Sequence, residues 1–148
     1  MRAVIQRVSC AELSVAGKSV SKISYGMTVY LGVAKGDSEK EAARYAKKIA
    51  NLRIFEDENG KINLSIKDVG GEILLISQFT LLADCTRGNR PDFFGAEAPE
   101  RAKALYEYTG KCLEAEGVPV KYGVFGADMT IGQTNIGPVT IILELPEK

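Results

Sequence analysis

The chain has 148 residues, 45% of them hydrophobic and 26% charged, the balance of one globular domain with a core of its own. Lys plus Arg number 19 and Asp plus Glu number 19, so the formal net charge is zero. Neutrality excludes a coat that holds nucleic acid by bulk attraction, but it leaves room for a local site for one nucleic-acid end. No apolar run approaches the ~20 residues of a membrane span. Arg2 and Arg7 interrupt any signal-peptide core. The whole chain, 1–148, reads as a single cytosolic domain with no membrane partner.

There is no histidine. That removes Ser-His-Asp and Cys-His mechanisms and every histidine-bound metal. Proton transfer has to use carboxylates, hydroxyls, Lys, Tyr, backbone, water or the substrate. Cys10, Cys85 and Cys112 are odd in number and far apart, which suits three reduced thiols rather than a zinc site or a disulfide framework. No metal and no cofactor are expected.

Residues 3–8 carry Val4, Ile5 and Val8 and read as a strand. Residues 12–15 follow, then a turn at Gly17-Lys18 and a strand over 19–23. Residues 27–33 (MTVYLGV) are apolar and β-branched enough for a buried strand. Asp37-Ser38 offers an N-cap, and Glu39 and Glu41 fall in the first turn, where the helix dipole favours negative charge. Ala42, Tyr45, Ala46, Ile49 and Ala50 recur at helical spacing, which predicts a helix over 38–51. Residues 52–55 read as a short strand, and Asp57-Glu58-Asn59-Gly60 as a tight turn. Residues 72–76 (EILLI) form a core strand that runs into Ser77-Gln78-Phe79-Thr80-Leu81. Residues 84–97 lack periodicity and form a long surface loop. Pro99 opens a second helix with an apolar face of Ala102, Leu105, Tyr106, Cys112 and Leu113, ending near Gly117. Strand returns over 129–134 and 139–145. The fold class is α+β: a mostly antiparallel sheet or partly open barrel with two packed helices.

Two ligand motifs fail on spacing. Gly17-Lys18-Ser19 ends like a phosphate-binding loop, but the first glycine would fall at Glu12. Asp57, Asn59 and Gly60 suggest a calcium loop, but its first ligand position would be Phe55. Two other segments are less ordinary. Ser77-Gln78-Phe79-Thr80 puts polar side chains straight after a core strand. It is either a strand leaving at an edge, or a strand end whose free N–H groups can bind an oxyanion. Asn135-Ile136-Gly137-Pro138-Val139-Thr140 sets a proline between two apolar strands, at a bulge or an edge. An ordinary turn and a rigid cis bond are both open there.

Together these segments resemble the paired motifs of the D-aminoacyl-tRNA deacylase family. Ile5-Gln6-Arg7-Val8, Leu52-Arg53-Ile54-Phe55, Arg87-Gly88 with Arg90-Pro91, and Phe125-Gly126-Ala127-Asp128-Met129 agree with it as well, so the likeness spans essentially the whole chain. Ile136 stands where family members often carry Asp. The loop at Arg87-Gly88-Asn89-Arg90-Pro91-Asp92-Phe93 is less basic than usual.

The resemblance implies hydrolysis of the ester between a D-amino acid, or glycine on tRNA-Ala, and the 3′-terminal adenosine of tRNA. It implies a homodimer with the active site at the subunit interface. Ser77, Gln78, Phe79 and Thr80 would form the catalytic segment, with the Phe79 and Thr80 N–H groups binding the oxyanion. Gly137-Pro138 would be cis and would project into the partner's pocket, excluding L side chains. Arg7 would hold the Gly137 and Pro138 carbonyls; without the family it reads as a solvated strand arginine. Phe125 and Met129 would pack against the terminal adenine; without it they read as core positions. A different class of function also fits the composition: an oligomeric module that binds a small metabolite without turnover.

Overall fold

The computed structural model of the chain describes residues 1–147. The chain order is β1 (Arg2–Val15), β2 (Lys18–Ile23), β3 (Gly26–Gly32), α1 (Glu39–Asn51), β4 (Phe55–Glu56), β5 (Ile62–Leu64), β6 (Glu72–Ser77), a 3-10 turn (Phe79–Leu82), α2 (Pro99–Ala115), β7 (Val120–Tyr122) and β8 (Met129–Leu143). The main sheet runs β2-β1-β3-β6-β7, and β8 pairs with β1. β4 and β5 form a small separate hairpin.

The α+β expectation holds, with one refinement. β1 is antiparallel to β2, β3 and β8, but β3 pairs with β6, and β6 with β7, in parallel. The cause is the connections. α1 lies between β3 and β6, and α2 between β6 and β7, so each helix returns the chain in its original direction. The apolar run of β6 follows from this placement: Ile73 and Leu75 belong to the core shared with the helices, whereas Leu74 and Ile76 belong to a second core.

Local signals set the helix ends. Ser38 is the N-cap of α1. Its hydroxyl accepts from the Lys40 N–H at 3.3 Å, and the Glu41 carboxylate accepts from the Ser38 N–H at 3.1 Å, a reciprocal capping box. Pro99 occupies the first turn of α2, and Ala102, Leu105, Tyr106 and Leu113 are buried. The strand expected over 52–55 is reduced to Phe55–Glu56, because Leu52 serves as the C-cap of α1.

The largest departure is at the end of the chain. The two strands expected on either side of Pro138 form one strand, β8, paired along β1. Gln6 faces Thr140 and Val8 faces Asn135, so residues 136–139 stand opposite Arg7 alone. The extra residues bulge out of the ladder. The Gly137–Pro138 peptide within them is cis, and both residues are exposed.

Among the described residues, no helix is long and apolar enough to cross a membrane. No group of three or more His, Cys, Asp or Glu side chains could hold a metal ion among them.

Candidate active site

β6 is fully buried from Ile73 to Ile76 and loses its cover at Ser77. The Gln78 N–H makes one more ladder bond, to the Leu31 carbonyl at 2.8 Å. The backbone then leaves the sheet (Gln78 φ −146°, ψ 80°) and winds into the 3-10 turn. The first amides of such a turn have no acceptor within it. Among the described residues, no hydrogen bond engages the Phe79 or Thr80 N–H. Phe79 is 56% exposed, so its ring is not core; it meets Phe93 of the long loop edge-on at 5.1 Å.

A glycine lets this turn sit where it does. A Cβ on Gly32 would lie 2.4 Å from Leu82 Cδ2 and 2.9 Å from the Gln78 carbonyl oxygen. Gly32 is therefore a part of the site that periodicity conceals: it reads as one more residue of an apolar strand.

Beside the turn is a cleft of about 480 Å³. Ser77, Gln78 and Phe79 line it from β6 and the turn, and Phe125 and Met129 line it from the segment entering β8. Five of the sequence-derived site residues thus share one cavity. Thr80 does not line it, but its hydroxyl accepts a hydrogen bond from the Gln78 side-chain amide. Tyr106 of α2 forms a wall. Its ring meets Phe125 at 6.0 Å, and its hydroxyl donates to the Leu75 carbonyl at 2.7 Å. Burial holds the Tyr106 phenol far above its ordinary range, so it stays a neutral donor. Sequence reading placed Tyr106 on the buried face of α2 but gave no sign that this face ends at a cavity.

The acidic groups of the cleft are Glu97 and Asp128. Glu97 is engaged: it accepts from the Ala98 N–H at 2.8 Å and pairs with Arg101 at 3.4 Å. With histidine missing, Asp128 is the carboxylate of the lining that no hydrogen bond or ion pair engages among the described residues, beside donors and apolar walls.

The other predicted residues lie apart from this cavity. Arg7 is 4% exposed, so it is not the solvated arginine its strand position suggests. Its Nε donates to the Ile136 carbonyl at 3.3 Å and a terminal nitrogen donates to the Ile54 carbonyl at 3.1 Å. The bond expected to the Gly137 and Pro138 carbonyls therefore falls one residue earlier. Gly137 has φ +117°, and a Cβ there would lie 3.0 Å from an Arg7 terminal nitrogen. Neither Gly137 nor Pro138 lines the cleft of its own chain.

Known proteins bear on this arrangement directly. Residues 4–144 match the D-Tyr-tRNA(Tyr) deacylase family. A D-aminoacyl-tRNA deacylase of Geotalea uraniireducens is 55% identical over 148 residues, covering 99% of this chain and 95% of that one. One of Anoxybacillus flavithermus is 51% identical over 144 residues, covering 97% and 99%. A solved structure described as a c-Myc DNA unwinding element binding protein superposes with a TM-score of 0.93 at 42% identity, over 99% of this chain and 100% of that one. A probable eukaryotic D-amino acid tRNA deacylase shares the fold, with a TM-score of 0.82 at 19% identity, over 97% and 98%. A match spanning both motif segments and the sheet between them leaves one assignment: this chain belongs to the D-Tyr-tRNA(Tyr) deacylase family.

Proposed function

We propose that this chain hydrolyses the ester of D-aminoacyl-tRNA, and of glycine on tRNA-Ala, releasing free amino acid and tRNA. The observation that carries the reading is the pair of unengaged amides, Phe79 and Thr80, at the head of a turn on the rim of the cleft. Two adjacent N–H groups on a rigid turn suit the negative oxygen of a tetrahedral intermediate. Phe125 and Met129 supply a flat apolar shelf suited to the terminal adenine.

An aminoacyl ester is already activated, so modest assistance suffices. Water adds to the ester carbonyl carbon, the oxyanion rests on the two amides, and the C–O bond to the 3′ oxygen breaks as that oxygen takes a proton. The Thr80 hydroxyl receives a hydrogen bond from Gln78 and has no base beside it, which disfavours it as a covalent nucleophile. The neighbouring 2′-OH of the terminal ribose is the better proton relay.

Selection between enantiomers comes from exclusion. In a homodimer, the exposed Gly137–Pro138 segment of one protomer enters the cleft of its partner and fills the space an L side chain needs. Two features support this reading. The segment and the cleft are separate within one chain. The outer edge of β8 is also unpaired among the described residues, with Ile142 69% exposed.

The test is parallel release of D- and L-tyrosine from matched charged tRNAs, with mass determined in solution. Rapid release of D-tyrosine alone, by a dimer, is expected. Equal cleavage of both esters, or a monomer with full selectivity, overturns the wedge. An ester left intact by pure protein overturns the activity and favours a binding module.

A further inference from the structure

Residues 136–139 protrude between two feet, Asn135 opposite Val8 and Thr140 opposite Gln6. Arg7 secures the protrusion by its bond to the Ile136 carbonyl. Adjacent strand residues point to opposite faces, so Gln6 lies on the other face of β1. There a second set of bonds runs across three strands. The Tyr30 hydroxyl of β3 donates to Gln133 Oε1 at 2.7 Å. Gln133 Nε2 donates to Gln6 Oε1 at 2.9 Å and to Asn135 Oδ1 at 2.5 Å. Gln6 Nε2 donates to Thr140 Oγ1 at 3.4 Å.

We infer that Gln133 is a positioning residue: held by Tyr30, it clasps Asn135 directly and Thr140 through Gln6, fixing both feet of the protrusion that carries Gly137 and Pro138. The inference rests on the wedge reading given above. Both N–H donors of the Gln133 amide and one acceptor direction of its oxygen are used, so its orientation is fixed by partners on β1, β3 and β8. Gln133 and Tyr30 are half-buried, and the bonds from Tyr30 to Gln133 and from Gln133 to Gln6 are partly shielded from water, which strengthens those two relative to bonds in open water. The physical consequence is specific. A wedge selects by being rigid; if its feet loosen, the L-ester gains access while the oxyanion turn, on a different segment, is untouched.

The test compares kcat/KM for D- and L-tyrosyl-tRNA in wild type, Gln133→Leu and Tyr30→Phe. The D-to-L ratio is the readout, because a loss of folded enzyme lowers both rates together and cancels from it. Gln133→Leu removes all three bonds of the amide and is expected to lower the ratio at least about tenfold, through faster L-ester cleavage. Tyr30→Phe removes one hydroxyl and is expected to lower it by roughly threefold. Gln133→Glu keeps the acceptor for Tyr30 but loses both donors, and is expected to behave like Gln133→Leu. If wild type discriminates and the ratio is unchanged in the variants, the clasp is overturned and the wedge stands. If wild type does not discriminate, the wedge falls and the clasp with it. Should Gln133→Leu fail to fold, an unchanged ratio in Tyr30→Phe overturns the clasp alone.

Discussion

Arg7 reaches from the middle of β1 to the carbonyl of Ile136, one residue before the cis peptide of β8. The same guanidinium donates to the Ile54 carbonyl in the segment after α1. One buried cation thereby ties the last strand to the region beneath the first helix. Its carboxylate neighbour, Glu56, lies 3.5 Å away with its side chain 55% exposed, so the ion pair adds little and the two carbonyl bonds carry the energy.

Replacing Arg7 by Met therefore strands two partly buried carbonyls. Hydrogen bonds to charged groups are worth ~1.5–3 kcal/mol each, so a loss of about 3–6 kcal/mol is expected in urea unfolding. Arg7→Lys recovers only part of it, because an ammonium cannot copy the fork that serves two diverging carbonyls. A midpoint equal to wild type in Arg7→Met would show that the carbonyls find other donors.

Gly32 acts at the other motif. Gly32→Ala places a methyl 2.4 Å from Leu82 Cδ2 and 2.9 Å from the Gln78 carbonyl oxygen. The side chain can turn away, but the carbonyl belongs to the residue that starts the 3-10 turn. Overpacking of this kind costs ~1–3 kcal/mol, and the displaced turn carries the Phe79 and Thr80 amides. Deacylation is expected to fall at least about tenfold in protein that still folds, since positioning errors near 1 Å are that costly or more. Adding Leu82→Ala relieves the side-chain clash but not the one with the Gln78 carbonyl, so it restores neither full stability nor activity. Full activity in Gly32→Ala would place the oxyanion site elsewhere.

These two positions show where sequence reading succeeds and where it stops. Ser38 with Glu41, and Pro99, mark helix starts because a cap is settled within four residues of chain. The end of the core strand at Ser77 is legible because polarity changes abruptly after an apolar run, but the 3-10 turn that follows is not. The need for glycine at position 32 is not legible either, since it arises from Leu82 and Gln78, some fifty residues on. Nor is the burial of Arg7, which depends on how β8 registers against β1. The parallel pairing of β6 escapes for the same reason: an apolar run fits either direction, and only the crossovers through α1 and α2 decide.

Thr80 separates two chemistries. Its hydroxyl accepts from the Gln78 amide, a bond that orients it but removes no proton. Thr80→Ala is expected to keep deacylation within about tenfold of wild type, whereas tRNA ending in a 2′-deoxy nucleotide should lose at least ~100-fold, the usual worth of a positioned proton relay. An inactive Thr80→Ala with normal turnover of the deoxy substrate would establish Thr80 as the nucleophile.

Alkaline pH probes the wall of the cleft. Burial raises the Tyr106 phenol above its unfolded value of ~10. A group with a raised folded value contributes fully below the unfolded value and loses that contribution as pH climbs beyond it. Stability should therefore be steady near pH 8–9 and decline above about 10. Tyr106→Phe is expected to be less stable at pH 8, having lost the bond to the Leu75 carbonyl, yet to show a shallower alkaline decline. Parallel declines in the two proteins would assign the effect to the other raised phenols, Tyr30, Tyr45, Tyr108 and Tyr122, the last raised by burial and by the Glu114 carboxylate.

The tip of the long loop stands outside the cleft, yet the loop is anchored to the 3-10 turn. Asp84 and Asp92 exchange backbone hydrogen bonds of 2.9 and 3.1 Å that pinch its base, and Phe93 meets Phe79 edge-on. Arg87 and Arg90 sit exposed between those anchors. In a chain of zero net charge, two arginines on a pinned loop beside the cleft are suited to phosphates of the tRNA end rather than to bulk attraction. Each phosphate contact contributes roughly 0.7–0.9 to the slope of log affinity against log salt. Arg87→Ala and Arg90→Ala should each raise KM at low salt and flatten that slope by about one, with the D-to-L ratio unchanged. A slope that stays at the wild-type value in the double variant would show that tRNA approaches from another side, and that this loop serves only to hold Phe79.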